Sequence, residues 1–431
     1  MKRRHFLWGA AGTAAISTAA WAGVRHWPER GWFNPCLGDL PQALADHPVV
    51  RLAWEGVDAG QFWDSHVHLV GVGDGGSGIW VNPNMDSPLH LLPYVQKKFY
   101  QNAACVEHAD GRVDSAYRER LMGLLDDMRP NKGAGTENNR SRLLLFAFDW
   151  HYGENGIRRE DLSTFHVPDY AARDAARSHP QHFVWAASIH PYRKDAIKAL
   201  ETALHDGAVA IKWLPAAMGM DPASPRCDAY FEMLAHYNVP LIVHAGEEQA
   251  VQGEGFQHLG NPLRLRRALA AGVRVVVAHC ATHGSDIDFE HPDQPRVESF
   301  TLFERLMANA QYHGRLFGEI SGITQINRAR FLPRILDHSE WRERLLHGSD
   351  YPLVGLMPLF SLKHIVAQGL LDEAVVPAIQ ALRDYNPLLF DFVLKRHLRL
   401  VTPQGVKQLP ASVFATRAFF DRSARTRLPA R

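Results

Sequence analysis

A pair of histidines near the start of the chain has the spacing of a metal-binding motif. Residues 61–70 read QFWDSHVHLV, and the Phe, Trp, Val and Leu residues in this run indicate a β-strand. Alternate residues of a strand share a face, so Asp64, His66 and His68 are predicted to point to one side. Two imidazoles on one face can bind one metal ion, although an isolated pair is more often a strand end that binds nothing. The metal hypothesis therefore requires ligands from elsewhere in the chain.

Polar residues of the same chemical kind end several later apolar runs. Lys212, His244, His279 and Asp350 each lie at or near the end of a strand-like run. In the run 208–213, Lys212 and two alanines alternate with larger residues, as expected where one face of a strand borders a pocket. Chance rarely places His, Lys or Asp at the same depth on five strands, so the pattern favours a metal site.

The elements that carry these residues alternate between strand and helix. Eight apolar runs are predicted to be strands, each followed by a helical pattern: 61–70, 143–149, 182–189, 208–214, 240–245, 273–280, 316–322 and 345–351. This alternation predicts an α/β fold, a (β/α)8 TIM barrel, because the strands are apolar enough to be buried on both faces. In such a barrel the active site lies at the C-terminal ends of the strands, where the candidate residues are found.

Composition indicates the boundaries between an N-terminal leader, the barrel and a C-terminal tail. A leader at 25–60 includes a predicted short strand at 49–54, the barrel covers 61–400, and a C-terminal tail covers 401–431. Residues 71–140 form a long helical insertion after the first strand, which is either a lid over the site or a peripheral helical subdomain. Its Gly-rich start lacks the pattern of a phosphate-binding loop.

The N-terminus has the features of a targeting segment. Residues 1–24 contain Arg3-Arg4-x-Phe6-Leu7, an uncharged stretch, and small residues at 20 and 22 that suit cleavage, which together resemble a twin-arginine signal peptide. We therefore expect the protein to use the twin-arginine export machinery and to be periplasmic. If the segment is not cleaved, it is expected to act as an N-terminal membrane anchor.

Composition limits the kinds of partner and ligand. Hydrophobic residues make up 46% of the chain and charged residues 22%, which is typical of a globular protein with a large core. A net charge of +1 gives no electrostatic basis for binding nucleic acid. With 24 His and 4 Cys, nitrogen and oxygen ligands are expected rather than thiolates. The cysteines show no C-x-x-C spacing, and the sequence does not indicate which pair could be oxidised outside the cytoplasm.

The polar motifs form a recognisable set in chain order. They are Asp64-x-His66-x-His68, Ile211-Lys212, Val243-His244-Ala245-Gly246, Ala278-His279-Cys280, Glu319-Ile320-Ser321-Gly322 and His347-Gly348-Ser349-Asp350-Tyr351-Pro352. Over about residues 61–399 this set resembles the amidohydrolase superfamily of metal-dependent barrel enzymes. The resemblance is to the branch that includes aminocarboxymuconate-semialdehyde decarboxylase.

The resemblance implies a role for each terminal side chain. His66, His68, His244 and Asp350 would bind a divalent metal, with Zn²⁺ expected and one ion favoured over two. A cation held by neutral imidazoles lowers the pKa of its bound water toward ~7, and Asp350 would act as general base on that water. His279 would lie behind the ligands or face the substrate, and would polarise the reacting group.

Other polar residues have more than one interpretation. Lys212 is either carboxylated and bridges two metals, or is a cation that binds a substrate carboxylate or pairs with Glu319. Glu319 is either a structural acid or a pocket residue, and His190 could line the pocket. His283 is the alternative to His279 as the functional histidine of the sixth strand. Asp64 is expected to support the site rather than to bind metal.

The sequence therefore predicts a metal-dependent hydrolase that attacks an amide, ester or lactone of a small-molecule substrate with a metal-activated water. A non-oxidative decarboxylase of the same fold is the first alternative, and a metal-binding protein without turnover is the second. The sequence indicates neither the substrate nor the oligomeric state, and a homo-oligomer is compatible with exposed barrel helices.

Overall fold

A closed barrel of eight parallel strands forms the centre of the protein. The computed structural model describes residues 28–128 and 141–421. The strands are β1 (Trp63–His68), β2 (Arg142–Phe146), β3 (Phe183–Ala187), β4 (Ala210–Trp213), β5 (Leu241–His244), β6 (Val275–Ala278), β7 (Leu316–Glu319) and β8 (Leu345–Leu346). Their order in the sheet is their order in the chain, and the predicted (β/α)8 fold is confirmed.

Backbone hydrogen bonds close the sheet between β8 and β1. The amide of Ser65 donates to the carbonyl oxygen of His347 at 3.1 Å, and the amide of His68 donates to that of Tyr351 at 2.9 Å. The amide of Asp350 donates in turn to the carbonyl oxygen of His66 at 2.9 Å. Asp350 is therefore held beside the first strand by the same bonds that close the barrel.

Helices follow the strands and shield their outer faces from water. In the described part of the chain they are Gln42–Ala45, Pro48–Trp54, Leu91–Ala103, Val113–Asp127, Asp169–Ser178, Ala196–His205, Pro215–Met218, Asp228–His236, Arg266–Ala270, Ser299–Ala308, Leu332–Asp337, Leu362–Ala367, Val376–Tyr385, Pro387–His397 and Arg417–Phe420. Short strand pairs join Trp80–Val81 to Phe165–His166, Ser285–Ile287 to Arg296–Glu298, and Leu400–Thr402 to Gly405–Lys407.

The strand predicted at 49–54 is wrong, because this segment is the helix Pro48–Trp54. Pro48 occupies the first helical position, where its missing amide hydrogen is not needed, and its ring fixes a helical φ. The Nδ1 atom of His47 accepts a hydrogen bond from the amide of Val49 and caps the helix. These end signals outweigh the strand preference of the two valines in the helix.

The C-terminal segment, predicted as a tail, packs against the end of the barrel opposite the candidate residues over its described part. Phe420 is fully buried in the cluster of side chains inside the barrel, together with Trp63 of β1 and Phe317 of β7. The amide of Trp63 donates to the Oγ1 of Thr416 at 3.1 Å. The lower end of the barrel is therefore plugged, whereas the upper end leads to a cavity.

The described part of the insertion after β1 contains two long helices, Leu91–Ala103 and Val113–Asp127. A disulfide between Cys36 and Cys105 joins the leader to the end of the first helix, which is the pairing that the sequence left open. The ring of Phe33 also stacks on Phe99 of that helix, with 5.1 Å between the ring centroids. The leader therefore fixes the insertion in place.

The predicted signal peptide at 1–24 lies outside the described residues. In the part of the chain that the structure describes, no helix combines the length and hydrophobicity needed to cross a membrane.

A buried ion pair links the helix Pro387–His397 to the turn that carries Asp350. The Nζ atom of Lys395 donates to Asp391 at 2.5 Å and to the carbonyl oxygen of Gly348 at 2.7 Å. Lys395 and Asp391 have no exposed side-chain surface. Burial raises the pKa of Asp391 to about 7, although the adjacent charge of Lys395 opposes this shift.

Breaking this pair on one side should be strongly destabilising. We expect Lys395→Met to lower the free energy of unfolding by about 3–5 kcal/mol, because Asp391 would be left as an uncompensated buried acid. Urea unfolding of the full chain measures this loss, with Lys395→Met/Asp391→Leu as the matched double variant. The double variant should recover most of the lost stability, and a double variant as unstable as the single one would contradict the explanation.

Candidate metal centre

A bulge in β1 determines which of its side chains face the barrel interior. The register of β1 against β2 shifts between Asp64 and Val67. Trp63 packs inside the barrel, whereas Val67 packs against the outer layer. His66 and His68 line the cavity at the upper end of the barrel, but Asp64 does not. The prediction that Asp64 shares the face of the two histidines is therefore wrong.

Asp64 instead braces the backbone around the site. Its Oδ1 atom accepts hydrogen bonds from the amide of Ser349 at 2.8 Å and from the amide of His66 at 3.1 Å. Burial raises the pKa of Asp64 to about 6, even though these bonds favour the carboxylate. The supporting role that the sequence suggested for Asp64 agrees with this position.

His66 is fixed so that one ring nitrogen faces the cavity. Its Nδ1 atom lies 2.8 Å from the Oε2 of Glu319. Its Nε2 atom lies 3.5 Å from the Oδ1 of Asp350 and 3.2 Å from the Nζ of Lys212. Burial, reinforced by the charge of Lys212, holds the pKa of His66 well below its usual value. A neutral ring held by a carboxylate in this way is the arrangement found for metal-binding histidines.

Glu319 does not line the cavity, and it contacts the ring nitrogen of His66 that does not face Asp350. Its carboxylate accepts hydrogen bonds from the hydroxyl and the amide of Ser321 and contacts the Nδ1 of His66. Gly348 permits the close approach of β8, since a Cβ atom there would lie 2.4 Å from a carboxylate oxygen of Glu319. Burial raises the pKa of Glu319. Of the two interpretations offered by the sequence, the structural one describes this geometry.

The carboxylate of Asp350 completes a ligand-like arrangement with the two histidines of β1. Its Oδ1 atom lies 3.3 Å from the Nε2 of His68 and 3.5 Å from the Nε2 of His66. Ligands at 2.0–2.2 Å from a tetrahedral metal are separated by about 3.4 Å, so both distances fit a shared ion. The donor atoms, two imidazole nitrogens and a carboxylate oxygen, also suit a divalent cation.

His279 reaches the cavity through an unusual turn of the backbone. His279, Cys280 and Ala281 have φ angles of 55°, 49° and 52°, which lie in the left-handed region that residues with side chains rarely adopt. The Nδ1 atom of His279 donates to the carbonyl oxygen of Ser321 at 2.9 Å and lies 2.7 Å from its hydroxyl. Burial keeps the pKa of His279 well below its usual value. The neutral ring therefore offers Nε2 as a lone-pair donor.

This tautomer brings His279 into the candidate ligand set. His66, His279 and Asp350 each offer an atom within 4.8 Å of the other two. A neutral imidazole whose Nε2 carries no proton cannot donate a hydrogen bond to a substrate, so the polarising role expected for His279 does not fit this form. Ser321, which contacts both His66 and His279, was present in the sequence motif but was not predicted as a functional residue.

His244 lines the cavity but is engaged by acidic neighbours. Its Nδ1 atom lies 3.2 Å from the Oε2 of Glu248, and its Nε2 atom lies 3.3 Å from the carbonyl oxygen of Glu247. The centroid of its ring is 5.2 Å from that of His279. His244 is thus next to the compact group without belonging to it, and its metal-binding role stays a prediction.

Lys212 lies at the edge of the same group. Its Nζ atom is 4.7 Å from the centroid of the Phe146 ring, in addition to its contact with His66. Burial lowers the pKa of Lys212, opposed by the charges of nearby acids that include Glu319 and Asp350. A lysine that loses its charge more readily can react with carbon dioxide, so the carboxylated form that would bridge two metals stays a prediction.

The prediction that His190 lines the pocket is wrong. Its Nδ1 atom accepts a hydrogen bond from the amide of Tyr192 at 3.0 Å, and its Nε2 atom donates to the carbonyl oxygen of Met218 at 2.9 Å. Both ring nitrogens are therefore occupied by the backbone, and the side chain is fully buried away from the cavity. His283 does line the cavity, beyond the turn that carries His279.

The cavity above these residues has a volume of about 290 Å³ and is lined mainly by apolar side chains. Residues of the insertion, among them Val72, Ile79 and Tyr100, contribute to its wall. The hydroxyl of Tyr100 and the amide of Gln96 donate to the carbonyl oxygen of Ala250, at 2.5 and 2.8 Å. The insertion therefore forms part of the cavity wall, and its role as a lid stays a prediction.

Comparison with protein families now identifies the chain. A family model described as amidohydrolase matches residues 143–379, more than half of the chain. The chain belongs to this amidohydrolase family. The resemblance predicted from the motifs is therefore confirmed, and the protein is an amidohydrolase-type enzyme that uses a divalent metal rather than a metal-binding protein without turnover. Family membership does not separate hydrolysis from decarboxylation.

Comparison with solved structures finds similar chains at low sequence identity. A TIM-barrel protein from Bordetella bronchiseptica is 12% identical, covers 71% of this chain and 90% of its own, and has a TM-score of 0.44. A putative 2-pyrone-4,6-dicarboxylic acid hydrolase from Pseudomonas putida is 17% identical, with coverages of 77% and 97% and a TM-score of 0.42. The 5-carboxyvanillate decarboxylase from Novosphingobium aromaticivorans with bound manganese is 12% identical, with coverages of 77% and 93% and a TM-score of 0.38. Comparison with curated proteins gives no match.

Removal of one imidazole of the compact group should empty the centre. We expect His66→Ala to lose bound metal, because it deletes a nitrogen whose position Glu319 fixes. Elemental analysis of the purified full chain measures the metal per protein. His190→Ala is the matched control, since it removes a buried histidine outside the cavity and should retain metal. Full metal occupancy in His66→Ala would refute the assignment.

Proposed function

We propose that the protein is a metal-dependent hydrolase that cleaves an amide, ester or lactone bond of a small molecule with water. The observation that carries this proposal is the position of Asp350, whose carboxylate lies at ligand-like distances from the Nε2 atoms of His66 and His68 at the bottom of the cavity. A carboxylate so placed can hold a cation through one oxygen and accept a proton through the other.

The proposed ligands are His66, His68 and Asp350, with His279 or His244 as a further nitrogen donor. Burial lowers the pKa values of His66, His244 and His279, which keeps these three rings neutral and able to bind a cation at neutral pH. Zn²⁺ is the proposed metal because the donor set consists of imidazole nitrogen and carboxylate oxygen. When bound, a divalent cation supplies positive charge that polarises a carbonyl oxygen and lowers the pKa of water.

The side chains of the site carry out the proton transfers. Water adds to the scissile carbonyl carbon as its proton passes to Asp350. Asp350 then returns the proton to the departing oxygen or nitrogen, so that the bond breaks and an acid and an alcohol or amine are formed. The apolar wall of the cavity excludes bulk water, which strengthens the electrostatic interactions at the reacting carbonyl.

Loss of the proton acceptor should abolish turnover without unfolding the protein. A panel of lactones, esters and amides tested with the Zn²⁺-loaded enzyme identifies a substrate, and Asp350→Asn should then lower kcat by about 10²–10⁴-fold, the usual contribution of a general base. Metal content is measured on the same samples. The exposed Asp161→Asn is the control and should retain the rate. A metal-loaded Asp350→Asn enzyme with full activity would exclude this role.

A non-oxidative decarboxylase is the second candidate, and the apolar cavity wall is the observation that favours it. A carboxylate held against apolar side chains loses hydration and parts more easily from its carbon. In that reaction a carbon–carbon bond breaks, carbon dioxide leaves and a proton replaces it. Hydrolysis in ¹⁸O-labelled water places label in the product acid, whereas decarboxylation releases carbon dioxide and adds no label to the product.

We also propose that the enzyme is exported through the twin-arginine machinery and acts in the periplasm. The signal-like residues Arg3 and Arg4 support this, as does the disulfide between Cys36 and Cys105, since disulfides persist mainly in oxidising compartments. Cleavage after Ala22 would release the enzyme, whereas an uncleaved segment would anchor it.

Export should depend on the paired arginines. We expect Arg3→Lys/Arg4→Lys to remain in the cytoplasm, where Cys36 and Cys105 should be mostly reduced. Cell fractionation with thiol labelling measures both properties, and Lys2→Gln is the matched control for loss of N-terminal charge. Equal periplasmic amounts of the double variant and the unmodified chain would contradict export by this route.

A further inference from the structure

The helix Leu91–Ala103 of the insertion carries exposed apolar residues at its N-terminal end. Leu91 is 66% exposed, Leu92 is 84% exposed and Val95 is 39% exposed. Leu89, in the turn before the helix, is 93% exposed. Residues three and four apart share a helix face, so these side chains are neighbours. Single exposed apolar residues are ordinary on a protein surface, whereas a contiguous group of them marks a binding surface.

The leader extends this exposed group beyond the helix. Phe33 is 55% exposed, and its ring stacks on that of Phe99, which lies one helical turn after Val95. Trp32, next to Phe33 in the chain, is 45% exposed. The disulfide that joins the leader to this helix holds the two segments together. The surface that they form, called here the apolar strip, consists of Trp32, Phe33, Leu89, Leu91, Leu92, Val95 and Phe99.

The two segments that form the apolar strip contain basic residues and no acidic ones. Residues 87–106 include Lys97 and Lys98 without any Asp or Glu, and residues 31–38 carry no charged side chain. Lys97 pairs with Asp86 at 2.5 Å, whereas Lys98 is exposed. Leucine and aromatic side chains next to an exposed lysine are the combination that binds the interface of an anionic bilayer.

The apolar strip begins close to the point where the N-terminal segment joins the described structure. Residues 6–24 of that segment contain no charged side chain. The carboxylate of Glu29 accepts hydrogen bonds from the hydroxyl of Ser361 at 2.7 Å and from the amide of Leu362 at 3.0 Å. Trp32 follows three residues later. If the N-terminal segment anchors the protein, the short connection keeps the strip near the same membrane.

A lipid bilayer fits this surface better than a second copy of the chain does. In a two-fold contact each copy presents the same patch to the other. Lys98 would then face residues 87–106 of the second copy, which offer no acid as a counter-charge. Anionic headgroups supply that charge. The acyl boundary of a bilayer also accepts protruding leucines without a pocket of matching shape.

We propose that the apolar strip binds the surface of an anionic phospholipid bilayer. Its leucines and aromatic rings enter the boundary between headgroups and acyl chains, while the ammonium group of Lys98 stays among the headgroups. The same helix contributes Tyr100 and Gln101 to the cavity wall. Binding therefore places the cavity beside the bilayer. The proposal concerns where the enzyme acts, and it holds for hydrolysis and for decarboxylation alike.

A fluorescent reporter within the strip tests contact with lipid directly. Val95→Cys in the full chain is labelled with a dye whose emission depends on polarity, since the free cysteines Cys227 and Cys280 are buried. With vesicles of phosphatidylcholine and phosphatidylglycerol in equal parts, we expect brighter, blue-shifted emission that a nitroxide-labelled lipid quenches. Val406→Cys is the matched control, because this exposed valine lies on the strand pair near the C-terminus and its label should stay in water.

Substitutions in the labelled chain measure what the strip contributes. Leu91→Ser/Leu92→Ser should weaken lipid contact of the reporter about 10- to 100-fold, because two apolar side chains that enter the bilayer are lost. Lys98→Gln should weaken contact with the anionic vesicles only. Val401→Ser/Val406→Ser removes two exposed valines from another surface and should respond like the parent. Melting temperatures establish that every variant is folded, and all carry the same N-terminal segment.

Four outcomes would overturn the proposal. Unchanged reporter emission with vesicles, even where the protein sediments with them, would assign membrane binding to the N-terminal segment alone. A reporter shielded from iodide before vesicles are added would show that the strip is already covered. That cover is the chain itself if the shielding is independent of protein concentration, and a second copy if it rises with concentration. Equal responses in Leu91→Ser/Leu92→Ser and the parent, or to vesicles with and without phosphatidylglycerol, would also contradict it.

Discussion

The hydrogen bond from the amide of Asp350 to the carbonyl oxygen of His66 connects the architecture of this protein to its chemistry. It joins the last strand of the barrel to the first, and the two residues that it joins are both candidate metal ligands. The barrel cannot close in another register without separating their side chains, because a shift by one residue turns every side chain to the opposite face. Closure and assembly of the site are therefore one event.

Burial sets the electrostatic character of the site. Three imidazoles, a lysine and two acids lie within a few contacts of one another, and desolvation disfavours the charged form of each group that it shifts. Neutral rings result for His66, His244 and His279. Glu319 and Ser321 hold the ring of His66, and Ser321 also holds that of His279. The protein thus prepares uncharged nitrogen donors beside the carboxylate of Asp350. A divalent cation would complete this charge balance.

Most of the barrel and part of its site could be predicted from sequence because strand periodicity is a local signal. Buried apolar runs, each ending in a polar residue, identified the strands and the residues at their C-terminal ends. The bulge at Asp64 could not be predicted, since it depends on pairing with β2 and not on the composition of β1. The left-handed turn at His279 is equally invisible, because it contains no glycine.

The pairing of Cys36 with Cys105 and the orientation of His190 were beyond sequence reasoning for a different reason. Both depend on contacts between segments that are distant in the chain, and spacing alone contains no information about them. His190 occupies the same kind of position as His244, at the end of a strand, yet backbone groups of Tyr192 and Met218 capture both of its nitrogens. Residue type and strand position therefore identify candidates, and the neighbouring backbone decides among them.

The contact between Thr416 and Trp63 spans 353 residues of sequence and has a consequence for biosynthesis. During translation, β1 emerges early and presents an unpaired edge until β8 and the segment that plugs the barrel have been made. Neither edge of the sheet is covered before then, and the metal ligands of the first and last strands are apart. The metal centre can therefore form only after nearly the whole chain has been made and the barrel has closed. If the proposed export takes place, transport as a folded particle would preserve such a centre, whereas transport as an extended chain would not.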